Sequence, residues 1–523
     1  MKYNYKNKII YFLFIFILFL FAFSYFLYGY KFLHFRRFLY DEGITLYGAE
    51  LILKGNIPYR DFWTLYPPGV FYLLAMGFKI FGINLAVQRM LSAIILALTT
   101  VSIFIFIQKL SSFIYAFIGF LLPLLWLKSY MVYLRPGQIA LLFCILSSLG
   151  LLNFINTEKK SWIFISGIIN GFVFLFRQDF WLYNFLAIII FLMMKSQDDF
   201  QKIKEDFGFL VAGNLMVILP VLIYFISKNA FSDMFYDIFI FPLLVYPKVR
   251  DLPFPVLKLD TLIFYIPLFI FLFACIRILL SKKDKKFLFI TFYLFLGMGL
   301  FFYTSIRTYI SHLLPTMVPG IIIFILLLEE IINKFLIKKI IFKKIIITGI
   351  LSLIIYLFFI EIKPIYLKEK QFEQNNDILK IKLRRANGFY DDPEFAQWQI
   401  SAIQYIQERT EPEEKIFVGN VRHDKVVNND ILFYFLSERK SATKYFEIHP
   451  GLTNTYLVQK NIINDLKNNN VRYIVLWDDP FKMVEPNESN KSSGVFLLDN
   501  YIRENYEIIK VIGDYKILRR KNH

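Results

Sequence analysis

Apolar residues in this chain come in long unbroken runs separated by short polar breaks. Half-buried strands alternate and soluble helices keep one polar face, so neither accounts for the pattern. A helix needs ~20 apolar residues to cross a bilayer. About eleven runs meet or approach that length, at 9–30, 84–107, 112–127, 136–156, 162–176, 180–194, 207–227, 259–280, 287–303, 312–331 and 344–360. The first follows Lys2, Lys6 and Lys8, and bulky residues continue beyond it through Phe35 and Phe38. A cleavable leader has a shorter core and a small-residue cleavage site, so this run reads as an uncleaved span.

From about Phe389 the pattern changes, with fewer apolar residues and alternating charges. Ile416–Val418 and Arg472–Trp477 read as strands. Asp430–Ser437, Asn461–Lys467 and Val495–Glu504 read as helices, and Tyr506–Ile512 with Tyr515–Leu518 as a hairpin turning on Gly513-Asp514. The fold class expected is a polytopic α-helical membrane protein with a small C-terminal α/β domain. Its parts are a membrane domain over 1–360 with a first outer loop at 31–83, a connector at 361–388 and a soluble domain at 389–523.

Loop charges orient the spans. Every even-numbered crossing returns to a lysine-bearing loop: Gln108–Ser111, Thr157–Ser161, Lys195–Asp206, Ser281–Lys286 and Asn333–Lys344. The positive-inside rule puts these loops and the N-terminus in the cytoplasm of a multi-pass cell-membrane protein. The segments 31–83 and 228–259 and the tail are then extracytoplasmic. No cytoplasmic loop is long enough to fold into a domain of ~50 residues or more, so any chemistry belongs to the outer face.

Composition supports this reading: 57% of residues are hydrophobic and 19% aromatic. The 61 Phe fall mostly in the apolar runs, and the net charge of +18 suits loops facing anionic lipid heads. With no basic-plus-aromatic module, nucleic acid is not an expected partner. Cys144 and Cys275 lie inside apolar runs without CxxC spacing, so they are packing residues. No ligand cluster points to a metal, and no cofactor is implied.

The first outer loop holds the densest polar pattern. Asp41-Glu42 follows the first run, and Ile44, Leu46, Tyr47, Leu51 and Leu53 suggest a helix lying along the interface, with Val70–Phe81 as a second. Acids favour helix N-termini, so Asp41 and Glu42 also read simply as caps. However, three stretches of the loop occur together: Asp41-Glu42-Gly43, Gly55-Asn56-Ile57-Pro58-Tyr59-Arg60-Asp61, and Tyr66-Pro67-Pro68-Gly69 with Phe81-Gly82. In that order they resemble the first outer loop of GT-C membrane glycosyltransferases. The branch is the one related to dolichyl-phosphate-mannose protein mannosyltransferases and the bacterial aminoarabinose transferase of lipid A. Gly171–Gln178, which contains Arg177, and Arg307–Pro315, which contains His312, are similar too, and the likeness covers most of the chain.

The resemblance implies transfer of a sugar from a polyprenyl-phosphate donor to a glycan, lipid or protein acceptor on the outer face, with inversion. Asp41 would be the general base. Arg60, Arg135, Arg177, Arg307 and His312 are candidates for the carrier phosphate, and Glu42, Asp61 and Tyr66 are further substrate-binding candidates. Each arginine also reads as a helix-end residue snorkelling to headgroups, as Arg177 would if paired with Asp179. Two departures bear on the donor. The aminoarabinose branch carries lysine before the loop proline, where this chain has Tyr66, and a second acid near the fourth span, where it has Arg135-Pro136-Gly137-Gln138. The alternatives are a lipid-linked glycan polymerase or ligase, and a transporter or flippase without covalent chemistry. Transporters usually show two similar halves, and no internal repeat is visible here.

Overall fold

The computed structural model describes residues 5–28, 30, 39–128, 133–196, 199–280, 284–335, 340–374, 379–391, 393–426, 428–478 and 484–521. Lys2, Phe35, Phe38, the start of the Ser281–Lys286 loop and the middle of the Asn333–Lys344 loop lie outside the described residues. The chain divides into two compact units: 1–29 with 89–221 and 253–373, and 30–88 with 222–252 and 374–523.

The first unit is a helical bundle. In lipid every backbone N–H and C=O must be satisfied internally, so long apolar runs fold as helices. Among the described residues nine helices are long and apolar enough to cross a bilayer. The two other expected crossings form as apolar helices of 15 and 16 residues, Phe113–Leu127 and Ser161–Phe176. Burial separates centre from rim: 72% of the apolar window in Pro136–Thr157 is covered, against 6% in Ile341–Lys363. The last helix runs on to Gln374, so the start of the expected connector is helical.

Small and amide side chains hold the bundle's interior. Gly167 and Gly213 let the helices Ser161–Phe176 and Phe200–Ser227 touch backbone to backbone; a Cβ on Gly213 would sit 2.8 Å from Ile168 N. Beside that contact, Asn170 Nδ2 donates to Asn214 Oδ1 (2.9 Å) and Asn184 Nδ2 donates to Asn170 Oδ1 (2.8 Å) and Ser147 Oγ (3.0 Å). Trp181 Nε1 joins at Asn214 Oδ1 (2.9 Å), so four helices share one buried polar network.

The second unit is built on a five-stranded sheet. Its order is Lys440–Ser441, Lys415–Asn420, Tyr473–Trp477, Tyr515–Arg520, Tyr506–Ile512. The first three strands are parallel and the last two antiparallel, closing the expected hairpin. Tyr473–Trp477 is buried along its whole length, as a central strand covered on both faces must be. Trp63 and Phe241, from the two earlier segments of the unit, share a core with Phe417, Ile448, Ile462 and Ile474.

Candidate functional site

Asp41 stands in the first turn of the helix Leu39–Leu53, not ahead of it, so its structural alternative is a contact with the helix dipole in place of a cap. The apolar positions expected to face lipid, Ile44, Leu46 and Tyr47, are fully buried within the unit. Gly43 explains how: a Cβ there would lie 2.5 Å from Leu432 N and 2.8 Å from Ile431 C. The loop helix therefore presses directly on the segment that opens the helix Leu432–Ser437. One turn on, Tyr47 stacks on Tyr434 with ring centres 5.1 Å apart, and its hydroxyl accepts from Ser441 N–H at 2.6 Å. Glu50, also buried, takes both arms of Arg385 at 2.6 and 3.0 Å.

Around the start of this helix the unit assembles carboxylates. Glu42 is fully buried, while Asp41 is partly exposed. Tyr40 donates to Glu447 Oε1 at 2.8 Å, and Glu447 is itself fully buried. Burial above all, with Asp41 adding repulsion, pushes the Glu447 carboxyl up to about 8 against the pull of Tyr40 and Arg250. Asp237, in a π-helical stretch over Tyr236–Val245, is likewise pushed up to about 8 by burial. π-helical turns are uncommon and often mark functional sites. Arg250 Nη1 reaches Glu485 Oε1 at 3.3 Å.

Arg60 and Asp61 pair with each other: Arg60 Nε and Nη2 fork onto the two Asp61 oxygens, each at 2.8 Å. That contact, reinforced by Ile57 N–H, holds the Asp61 carboxyl below its usual range. The carbonyl of Tyr66 accepts from the buried Tyr59 hydroxyl at 3.0 Å. These three residues shape the loop around Tyr59, a buried residue at φ 71°.

The bundle unit gathers the other candidates. Arg177 leaves the helix Ser161–Phe176 in extended conformation and forks onto Asp179. Its guanidinium lies 4.9 Å from the Phe180 ring centre and 4.5 Å from that of Tyr303. Tyr303 in turn stacks on the His312 imidazole at 4.6 Å with planes 17° apart. Arg307 follows the helix Lys285–Ile306, and Arg135 precedes Pro136–Thr157 with its guanidinium 4.3 Å over Tyr133. Arg135, Arg177 and Arg307 all lie within electrostatic reach of His312. Three of the arginines named from sequence thus lie within reach of the one candidate histidine, and Arg177 is joined to it through the Tyr303 ring. The fourth, Arg60, belongs to the other unit.

Sequence reasoning missed Tyr303, Tyr40, Glu447 and Asp237. Tyr303, four residues before Arg307, carried a signal in its place at the end of the same apolar run. Glu447 carried none, being a lone acid in an aperiodic stretch. Among the described residues no group of three or more His, Cys, Asp or Glu could hold a metal ion.

The comparisons with known proteins bear on one segment of the chain and on its fold. Residues 66–224 match the family profile of dolichyl-phosphate-mannose-protein mannosyltransferase. The crystal structure of ArnT from Cupriavidus metallidurans bound to undecaprenyl phosphate superposes with a TM-score of 0.58 at 11% identity. That match covers 96% of this chain and 97% of that one. The apo ArnT structure gives 0.55 at 10% identity, covering 91% and 92%. None of the curated proteins compared matches the chain. Residues 66–224 thus carry the mannosyltransferase profile, and the chain as a whole shares its fold with ArnT.

Proposed function

We propose that this protein transfers a sugar from a polyprenyl-phosphate carrier to an acceptor on the outer face of the membrane, inverting the anomeric carbon. In this reading the N-terminus and the lysine-bearing loops are cytoplasmic, and the domain at 389–523 is extracytoplasmic. The observation that carries it is Arg177 joined through Tyr303 to His312, with Arg135 and Arg307 at further helix ends within electrostatic reach of that histidine. Charge at that depth is costly and is retained where it binds or moves charge. The leaving group, a lipid phosphate, needs fixed cationic donors where negative charge grows, and arginine supplies them in planar pairs. Asp179 takes up part of the Arg177 charge. Asp41 takes the acceptor's hydroxyl proton as the acceptor oxygen attacks the anomeric carbon and the carrier phosphate departs with the bonding pair. A fold shared with a structure that holds undecaprenyl phosphate supports the donor class.

The test is transfer of radiolabelled sugar from a synthetic polyprenyl phosphate by the purified protein. Arg177→Gln and Arg307→Gln should each weaken donor binding by ~1.5–3 kcal/mol, the usual worth of a charged hydrogen bond. Unchanged apparent affinity in both would leave them as headgroup-snorkelling residues and remove the phosphate site from the proposal.

A further inference from the structure

The second unit contains a cavity of about 480 Å³ that the candidate chemistry does not use. Lys54, Lys415, Lys440 and Lys444 ring it, drawn from the loop helix and from the first two strands of the sheet and the segment after them. Two carboxylates, Asp61 and Asp465, also line it. Asp61 is neutralised by Arg60, and Asp465 accepts from Thr443 Oγ1 at 2.7 Å. Behind the rim, Glu413 bridges Lys54 at 2.6 Å and Lys440 at 3.0 Å, which fixes those two ammonium groups in place. Lys415 Nζ donates to the neutral Asn469 Oδ1 at 2.7 Å, and Lys444 stands a long 3.8 Å from Asp233. The cavity is therefore cationic, with Lys415 and Lys444 carrying charge that is least neutralised.

Between the lysines the lining is polar, with Asn56, Ser441 and Thr443 beside Leu51, while Phe62 and Phe446 are sealed behind it against Tyr47. Hydrogen-bonding walls within a charged rim suit a saccharide, whose hydroxyls meet the walls while its charged substituent meets the rim. The volume accommodates two or three sugar rings, at the lower end of the ~300–1,000 Å³ usual for small-molecule sites.

The geometry points to this cavity as a binding site for an anionic glycan, a saccharide bearing phosphate or carboxylate, with Lys415 and Lys444 as its charge-recognising residues. Calling that glycan the acceptor, or the already extended part of one, rests on the sugar-transfer reading. The binding itself does not.

Saturation-transfer NMR on the full chain in lipid nanodiscs tests it with trigalacturonate, glucose 6-phosphate and maltotriose. Trigalacturonate and glucose 6-phosphate should receive saturation and maltotriose should not. Lys415→Glu with Lys444→Glu should weaken binding of the charged probes at least fivefold, and Lys415→Gln with Lys444→Gln by less. If the charge-reversed chain loses its melting transition, the glutamine pair decides. Equal saturation of maltotriose, or unaltered binding in a folded variant, would overturn the site. Inorganic phosphate binding as tightly as the charged sugars would reduce it to an anion site and overturn the glycan. The Asp41→Asn chain should bind the probes like wild type. Absent transfer by the wild-type chain with binding intact would count against the sugar-transfer reading alone.

Discussion

Asp41 and Glu42 are neighbours in sequence with different surroundings. Glu42 is sealed inside its unit, with its carbonyl accepting from Thr45 Oγ1 at 3.2 Å, while Asp41 keeps part of its surface open. Only the open carboxylate can meet an acceptor hydroxyl. Asp41→Asn should then lower turnover by ~10²-fold or more with protein abundance unchanged. If Asp41 only complements the helix dipole, the change removes ~0.3–1 kcal/mol of stability and leaves turnover near wild type. Glu447 supplies a second residue-scale prediction. Its folded value of about 8 lies far above that of an unfolded glutamate, so the folded state binds more protons between roughly pH 4.5 and 8. Stability should be fully present below that window and fall as pH rises through it, by up to about 1.4 kcal/mol per pH unit for this one group. Asp237 contributes in the same direction. Glu447→Gln, which mimics the protonated acid, should flatten the decline in apparent Tm between pH 5 and pH 8. A wild-type Tm that holds or rises across that range would contradict this.

At the scale of elements, close approach matters more than propensity. Gly43 lies where the helix Leu39–Leu53 meets the backbone of Ile431 and Leu432, and no side chain there can yield. Gly43→Ala should destabilise the chain by ~1–3 kcal/mol, the usual effect of overpacking. Gly208, with nothing within 4 Å of its Cβ direction, is the control: Gly208→Ala should be neutral or gain ~0.5–1 kcal/mol. Equal Tm shifts in the two variants would refute the contact. The same distinction explains what was legible in the sequence. The spans were readable because a run such as 84–107 needs no partner to declare itself, and the helix Leu85–Gln108 follows it closely. The strand Tyr473–Trp477 and the terminal hairpin were readable from local alternation and Gly513-Asp514. The two-residue strand Lys440–Ser441 was not, because it exists only through parallel pairing with Lys415 and Ile416. Nor was the π-helical Tyr236–Val245, whose Pro242 argues against a regular helix. In the candidate site, Arg177 and His312 stood out as charged or titratable groups at the boundaries of apolar runs, within stretches that carry the family resemblance. Tyr303, the aromatic plate between them, was hidden among 33 tyrosines and 61 phenylalanines.

For the whole molecule, the sugar-transfer reading depends on which side of the membrane the second unit occupies. The proposed topology puts it outside on the strength of five successive even-side breaks that carry positive charge, where a single miscounted span would reverse every later one. A lipid-linked donor is required only if that holds, because nucleotide sugars are a cytoplasmic currency. Lys491 is a good reporter: its side chain is 71% exposed, and its ion pair with Glu488, three residues away, is a surface contact of little energetic worth. Lys491→Cys should therefore fold normally. The native thiols give little background, because Cys144 is buried and Cys275 lies within the apolar helix Ile266–Leu280, and replacing both with Ala removes them altogether. In intact cells Lys491→Cys should react with a membrane-impermeant maleimide at the same rate as after permeabilisation. A cysteine in the Thr157–Ser161 loop, at Lys159, should react only once the membrane is opened. The reverse pattern would place the α/β unit in the cytoplasm. Asp41 would then be out of reach of any carrier displayed on the outer leaflet, and the sugar-transfer reading would fall with the topology.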